Sequence, residues 1–485
     1  MCDINYASID EIHQMFKEKK LTVRGLVLEF LSKIAERDKC ENGLNSVLEI
    51  NPDALFVADK LDKILENGDE IPPLFGIPVL LKDNINTNDR LHTSAGSVAL
   101  KNNYASYDAH IVKCMREAGA VILGKANMTE FANYMSHENM PTGYSSRGGQ
   151  VFNPYNRDKH PGGSSSGSGV AVAAGLCAVS IGTETAGSII SPAQQNGIAG
   201  IKPTMGLVGR SGIIPISGTH DTAGPMARTV RDAAILLSVI AQPDPNDPAT
   251  QARNFHPVDY TKYLDPDGLK GMRIGINRSQ KLNDFALSEE ERAMFDNLCR
   301  ALSKAGAILI DSVDIDSDFN IGKIMHNEFK ACMNYYLSTL KGSTEIRTLG
   351  DIIEYNQKNA AVALKYGQSI LVDAENNTSG TMTERAYIEA LKVRDKVIHG
   401  FDKLFGDNNI DVMLCETFTN IAPFTGFPCM SIPIGQGENK LPVGSYWIAR
   451  RFDEATLIKV TYSAEQNLGL NLRPEFQESL ESGEK

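Results

Sequence analysis

Residues 160–204 read HPGGSSSGSGVAVAAGLCAVSIGTETAGSIISPAQQNGIAGIKPT, and the kind of fold this chain needs is decided there. A glycine/serine run opens the stretch, and the small apolar residues Val170 to Ile181 follow it directly. A surface linker would account for the Gly and Ser density, but not for a packable apolar run welded behind it. A Gly/Ser loop held between buried elements brings backbone N–H groups close to a bound molecule. The stretch is therefore read as a structured, functional loop.

The surrounding pattern supports a layered fold. Upstream, Ile77 to Lys82 reads as a buried strand, Ala109 to Ala118 as a helix, Val121 to Leu123 as a strand and Ala178 to Ile181 as another. Such alternation predicts an α/β domain with helices covering a sheet. Two helices precede it: Ser8 to Glu11 forms a capping box ahead of Ile12, Met15 and Phe16, and Leu26 to Ile34 repeats apolar residues at helical spacing. Beyond the PDPNDP loop (243–248), strands are expected at Arg273–Ile276 and Ala307–Ile310, with a second capping box at Ser288–Glu291 between them. Residues 320–405 read as mainly helical, Thr383 to Phe405 being the longest candidate. Strand character returns at Val412–Leu414, Cys429–Ile434 and Tyr446–Ile448. No repeat or low-complexity tract forces a division, so one large domain is expected. It divides into an N-terminal helical segment (1–70), the segment carrying the chemistry (71–240), a mainly helical insertion (241–405) and closing strands and a helix (406–485).

Bulk properties exclude several classes. The 485 residues are 42% hydrophobic and 22% charged, which permits a large core and argues against disorder. A net charge of −12, from 48 basic and 60 acidic residues, argues against a nucleic-acid partner. The opening MCDINYASIDEIHQ lacks an apolar signal region, and no run is long enough to span a bilayer. A cytoplasmic protein with no membrane partner is expected. The eight cysteines form no CxxC pair, so zinc-ribbon and thioredoxin-like readings fail and reduced thiols are expected.

Two nucleophile readings compete. Gly163 to Gly167 satisfies G-x-S-x-G with Ser165 central, but the residues before it, Asn153 to Pro161, cannot form the interior strand that elbow requires. The alternative is Ser188, which follows the strand Ala178–Ile181 and precedes the turn-forming Ser191-Pro192. There the consecutive amides of Thr185 to Ser188 outline an oxyanion hole. A serine needs a base, and Lys82 at the end of an apolar strand is the candidate, because desolvation disfavours its charged form.

Taken together, GIPVLLKDN (76–84), GAVILGKANMTEFAN (119–133), GGSSSGS (162–168), TETAGSIISPA (183–193), GIKPT (200–204), DTAGPMART (221–229), GFPCMSIPIG (426–435) and RRFDEATLIKVTYSAEQ (450–466) resemble the amidase signature family. The stretch 133–169 resembles its peptide amidase branch in particular. The resemblance implies one α/β domain with a large central mixed β-sheet covered by helices on both faces. It also implies that Ser188 is the acylated nucleophile, Ser164 the bridging serine with a cis peptide, and Lys82 the base. The amides of Thr185, Ala186, Gly187 and Ser188 would receive the oxyanion. No metal or cofactor is implied, and the substrate would be a C-terminal peptide amide or a small amide. Met135, Ser136, Gly163, Ile190, Glu416 and Thr417 are the pocket residues expected on the same ground. Three departures from common members stand out: Ala186 stands where Gly or Asp is frequent, Ile190 where Arg is, and Cys415-Glu416-Thr417 replaces Ala-Pro-Thr.

Two alternatives remain at this level: the amidase subunit of a tRNA-dependent amidotransferase, and a non-catalytic binding protein of the same fold. A monomer or homodimer is expected. Lesser motifs dissolve. G-x-x-x-x-G-K-A at 119–126 lacks the Ser/Thr of a P-loop. His220 is read as a structural loop histidine beside Asp221, and Tyr446 and Trp447 as sheet packing.

Overall fold

The structure, a computed structural model, describes residues 3–476 apart from 68–70, 252–256, 279–286, 316–317, 341, 343 and 438. Cys2 lies outside the described residues. Eleven strands form one sheet in the order Val47–Ile50, Val121–Ala126, Pro78–Lys82, Val179–Glu184, Thr222–Ala227, Ala199–Lys202, Cys429–Ser431, Tyr446–Ala449, Val412–Cys415, Arg273–Asn277, Ile308–Ile310. Pro78–Lys82 runs parallel to both of its neighbours. Arg273–Asn277 does the same on the far side. Antiparallel pairs join these two blocks. The sheet is therefore mixed.

Period-2 alternation shows that both faces are covered. On Val412–Cys415, Val412 and Leu414 join the largest apolar core, whereas Met413 and Cys415 join a second cluster with Ile398, Phe401 and Phe405 of the helix Arg385–Asp407. On Tyr446–Ala449 the same split recurs, with Trp447 and Ala449 on one side and Tyr446 and Ile448 on the other. Both aromatic residues are buried, and the Trp447 indole N–H donates to Ser445 Oγ at 2.7 Å. A separate cluster binds the helical region to the sheet loops: Phe329, Met333 and Tyr336 of the helix Ile321–Thr339 pack on Met128, Phe131, Ile214 and Ile216.

Local signals translate directly. Ser8 and Ser288 each cap a helix with the reciprocal bond from Glu11 and Glu291. The longest predicted helix is found at Arg385–Asp407. One expected strand divides: Cys429–Ser431 stays in the main sheet, while Pro433–Gln436 pairs with Pro442–Gly444 in a hairpin of its own. The physical reason is Pro433, which has no N–H for a central ladder and is tolerated at a strand's first position. Thr222–Ala227 went unpredicted because Pro225 sits inside it. Its pairing with Ala199–Lys202 covers only Ala227 and Met226, so Pro225 takes no place in that second ladder. The seven described cysteines are free thiols. Among the described residues no helix is long and apolar enough to cross a membrane.

Candidate active site

Lys82 is the last residue of a strand buried throughout. In the adjacent parallel strand Leu81 pairs with Ile181, which sets the end of one strand beside Thr183 of the other. The Lys82 ammonium group donates to Ser164 Oγ at 2.8 Å and to the Thr183 carbonyl at 3.0 Å. Its side chain is fully buried. Burial lowers its pKa to about 7, the Glu184 and Asp221 carboxyls opposing that shift. An amine so tuned is half neutral near pH 7.

The serine run sorts itself by hydrogen bonding. Ser165 Oγ donates to the Thr183 carbonyl (3.0 Å) and accepts the Thr183 N–H (3.2 Å). Ser166 Oγ donates to the Gly162 carbonyl at 2.6 Å, and Ser168 Oγ to that of Ile181 at 3.1 Å. These three are stitched to backbone, and Ser164 is the member that meets the lysine. The Gly163–Ser164 peptide is cis. The helix Ser166–Ala173 starts at this loop, and Gly167 is required in it: a Cβ there would lie 2.2 Å from the Ser46 carbonyl oxygen.

Ser188 sits where the chain leaves the strand Val179–Glu184 and turns into the short helix Ile190–Gln195. Gly187 makes the turn at φ +85°, a conformation that disfavours side chains. The turn is anchored at both ends. Glu184 Oε2 accepts the N–H groups of Ile189 (2.7 Å) and Ile190 (3.1 Å), and Thr185 Oγ1 donates to Asp221 Oδ1 at 2.5 Å. The Ser165 N–H donates to the Ser188 carbonyl at 3.2 Å, which ties the serine run to the turn. Among the described residues, no protein partner takes the amides of Thr185, Ala186, Gly187 or Ser188. Asp221 is half-buried, and desolvation chiefly raises its pKa to about 6. The sequence signal for Asp221 is the DTAGPMART motif that it opens.

A cavity of about 960 Å³ adjoins this turn, reaching Thr183, Glu184, Thr185 and Asp221. Ile213, Ile214, Pro215, Tyr335, Tyr336 and Met382 form much of its apolar wall. Arg210 also lines it, but its guanidinium is committed to Asp247 through two 2.7 Å bonds. None of the six expected pocket residues lines this cavity. Ile190 is buried in the cluster with Met413 and Tyr446, and Met135 in the one with Phe329. Glu416 lies 3.6 Å from Arg278 and 3.7 Å from Arg292, and Ser136 bonds Glu138. Gly163 packs against Thr142 and Thr129. Ala186 is partly exposed, and Thr417 is half-buried. Lys125 of the P-loop-like stretch is buried on a strand and donates to the Ile85 carbonyl and to Thr93 Oγ1.

A family profile described as amidase matches residues 25–424. The chain belongs to the amidase family. It is an amide-hydrolysing enzyme on that ground. A probable amidase of Arabidopsis thaliana is 39% identical, the match covering 98% of this chain and 92% of the relative. One glutamyl-tRNA(Gln) amidotransferase subunit, from Koribacter versatilis, is 33% identical over 96% of this chain and 99% of that protein. Among solved structures, the peptide amidase of Stenotrophomonas maltophilia superposes with a TM-score of 0.90 at 36% identity, covering 98% of this chain and 99% of its own.

Proposed function

We propose that Ser188, Ser164 and Lys82 form the catalytic triad of this amidase and that its substrates are amides with a bulky, uncharged acyl part, C-terminal peptide amides foremost. The observation that carries the triad is the fully buried Lys82–Ser164 contact at 2.8 Å with an amine tuned to about pH 7. Neutral Lys82 accepts the Ser164 proton while Ser164 takes that of Ser188, whose Oγ attacks the amide carbonyl. Charge on the carbonyl oxygen develops against the amides of Thr185, Ala186, Gly187 and Ser188. Collapse breaks the C–N bond as the proton returns through Ser164 to the leaving nitrogen, which departs as ammonia or amine. Water repeats the attack on the Ser188 ester and releases the carboxylic acid.

The substrate class rests on the cavity: about 960 Å³ of partly apolar space exceeds what a small aliphatic amide fills. The free thiols accord with a reducing, cytoplasmic setting, and a monomer or homodimer stays part of this reading. A second reading, the amidase subunit of an amidotransferase, is favoured by the 33% identity to one protein of that kind. One experiment separates them. Ammonia release is measured from small aliphatic, aromatic and C-terminal peptide amides and from glutamine, with Ser188→Ala in parallel. The proposal expects peptide amides to lead and the variant to be silent. Activity confined to glutamine, or a stable copurifying partner, would favour the second reading.

A further inference from the structure

We infer that Glu328 is a positioning residue for this reaction, holding the oxyanion turn in place through Ser217, Asp221 and Thr185. The inference rests on the assignment of Ser188 and its neighbouring amides given above. Glu328 belongs to the helix Ile321–Thr339, outside every motif quoted for the family, and is 2% exposed.

Four donors converge on its carboxyl group. Oε2 accepts the Ser217 hydroxyl and the Thr219 N–H (3.0 Å). Oε1 accepts the Thr219 hydroxyl and the Tyr387 hydroxyl (2.8 Å). Tyr387 comes from the helix Arg385–Asp407, so two helices and one loop meet at a single side chain. Burial and the bond to Glu328 keep the Tyr387 phenol well above its ordinary range, hence a donor.

Ser217 joins this carboxyl to the active site. Its hydroxyl goes to Glu328, while its backbone N–H donates to Asp221 Oδ2 at 2.9 Å. The same Oδ2 accepts the Ile216 N–H at 2.8 Å, and Oδ1 accepts Thr185 Oγ1 at 2.5 Å. One residue thus bridges a buried and a half-buried carboxyl group, and the second grips the first residue of the oxyanion turn. A shift of the 216–221 loop moves Asp221 and, through it, Thr185.

Ser217, His220 and Glu328 resemble a nucleophile set, yet the wiring is wrong for one. Ser217 has a single hydroxyl proton and gives it to Glu328, so it accepts from His220 Nδ1 (3.0 Å). His220 is lowered to about 3, by burial first and then by Arg394 and Lys202, and stays neutral. All three are at most 2% exposed. The cluster locks a loop, and of the three only Ser217 lines the cavity.

The test is a double-mutant cycle on ammonia release with Glu328→Gln, Thr185→Val and the pair, with melting temperature recorded for each. Gln places an N–H₂ group where two acceptor positions face donors. Displacement of the oxyanion amides by fractions of an ångström should then lower kcat roughly 10- to 100-fold with KM within about threefold. Because both residues act through Asp221, the double variant should lose little more than the worse single one. Losses that multiply, or a Glu328→Gln kcat within twofold of the parent, overturn the inference. If Glu328→Gln does not fold, Tyr387→Phe replaces it in the same cycle with the same two criteria, a smaller loss being expected. Ammonia release surviving in Ser188→Ala would sink the nucleophile assignment instead, and is read separately.

Discussion

Lys82 Nζ and Ser164 Oγ lie 2.8 Å apart with both side chains fully enclosed. A buried amine without an acid partner in hydrogen-bond reach is costly to keep charged. The contact therefore holds a lysine inclined to release its proton, and consequences follow for substitution and pH.

Lys82→Met should lower turnover by about 10³-fold, the range expected for loss of a general base. Methionine fills similar volume without an amine to desolvate, so the melting temperature should hold or rise. Turnover within tenfold of the parent would remove the lysine from the mechanism.

Ser164→Ala and Ser165→Ala should differ sharply although the residues are adjacent. The first should abolish turnover. The second removes two backbone bonds to Thr183, costing about 1–3 kcal/mol of stability, with at least tenfold more activity retained. A Ser165→Ala enzyme less active than Ser164→Ala would revive the G-x-S-x-G reading.

The pH profile carries a sign. In the proposed mechanism the neutral amine is the working form, so kcat/KM should climb with pH through an apparent pKa of about 7 and level off above it. Stability follows the same direction. A lysine depressed from 10.5 to about 7 adds its full contribution above 10.5 and loses it as pH falls to about 7. The melting-temperature advantage of Lys82→Met should accordingly widen toward low pH. A flat kcat/KM between pH 6 and 9 would contradict the assignment.

Gly187→Ala should damage both stability and rate. An alanine at φ +85° costs about 1–2 kcal/mol in backbone strain, and its Cβ would lie 3.0 Å from the Phe418 ring. A kcat reduced tenfold or more is expected from displacement of the Ser188 turn, read against a modest fall in melting temperature. An unchanged kcat would mean that the turn tolerates movement and does not set the oxyanion geometry.

Much of this architecture is written locally. The capping boxes at Ser8 and Ser288, and the apolar run that buries Lys82, are short-range patterns read from neighbours in sequence. What escaped is long-range. Pro225 concealed a central strand because whether it lacks a ladder partner depends on where the neighbouring strand stops. Asp221 matters through Thr185, 36 positions away, and Glu328 through Ser217, 111 positions away. The expected pocket residues came from family likeness alone. Met135 and Ile190 sit in apolar clusters that no linear pattern reveals.

Of the proposed triad, Lys82 stands on the sheet and Ser164 and Ser188 on loops beside it, while Tyr335, Tyr336 and Met382 of the cavity wall come from the helical region, which packs through an apolar cluster of its own. The cavity wall therefore has two sources, the helical region and the 210–218 segment beside the active-site turn. A lineage can remodel what it accepts by exchanging residues along those helices while the bond-breaking apparatus passes unaltered from ancestor to descendant. The one restriction is Glu328, whose carboxyl group crosses between the two parts and must survive any such exchange.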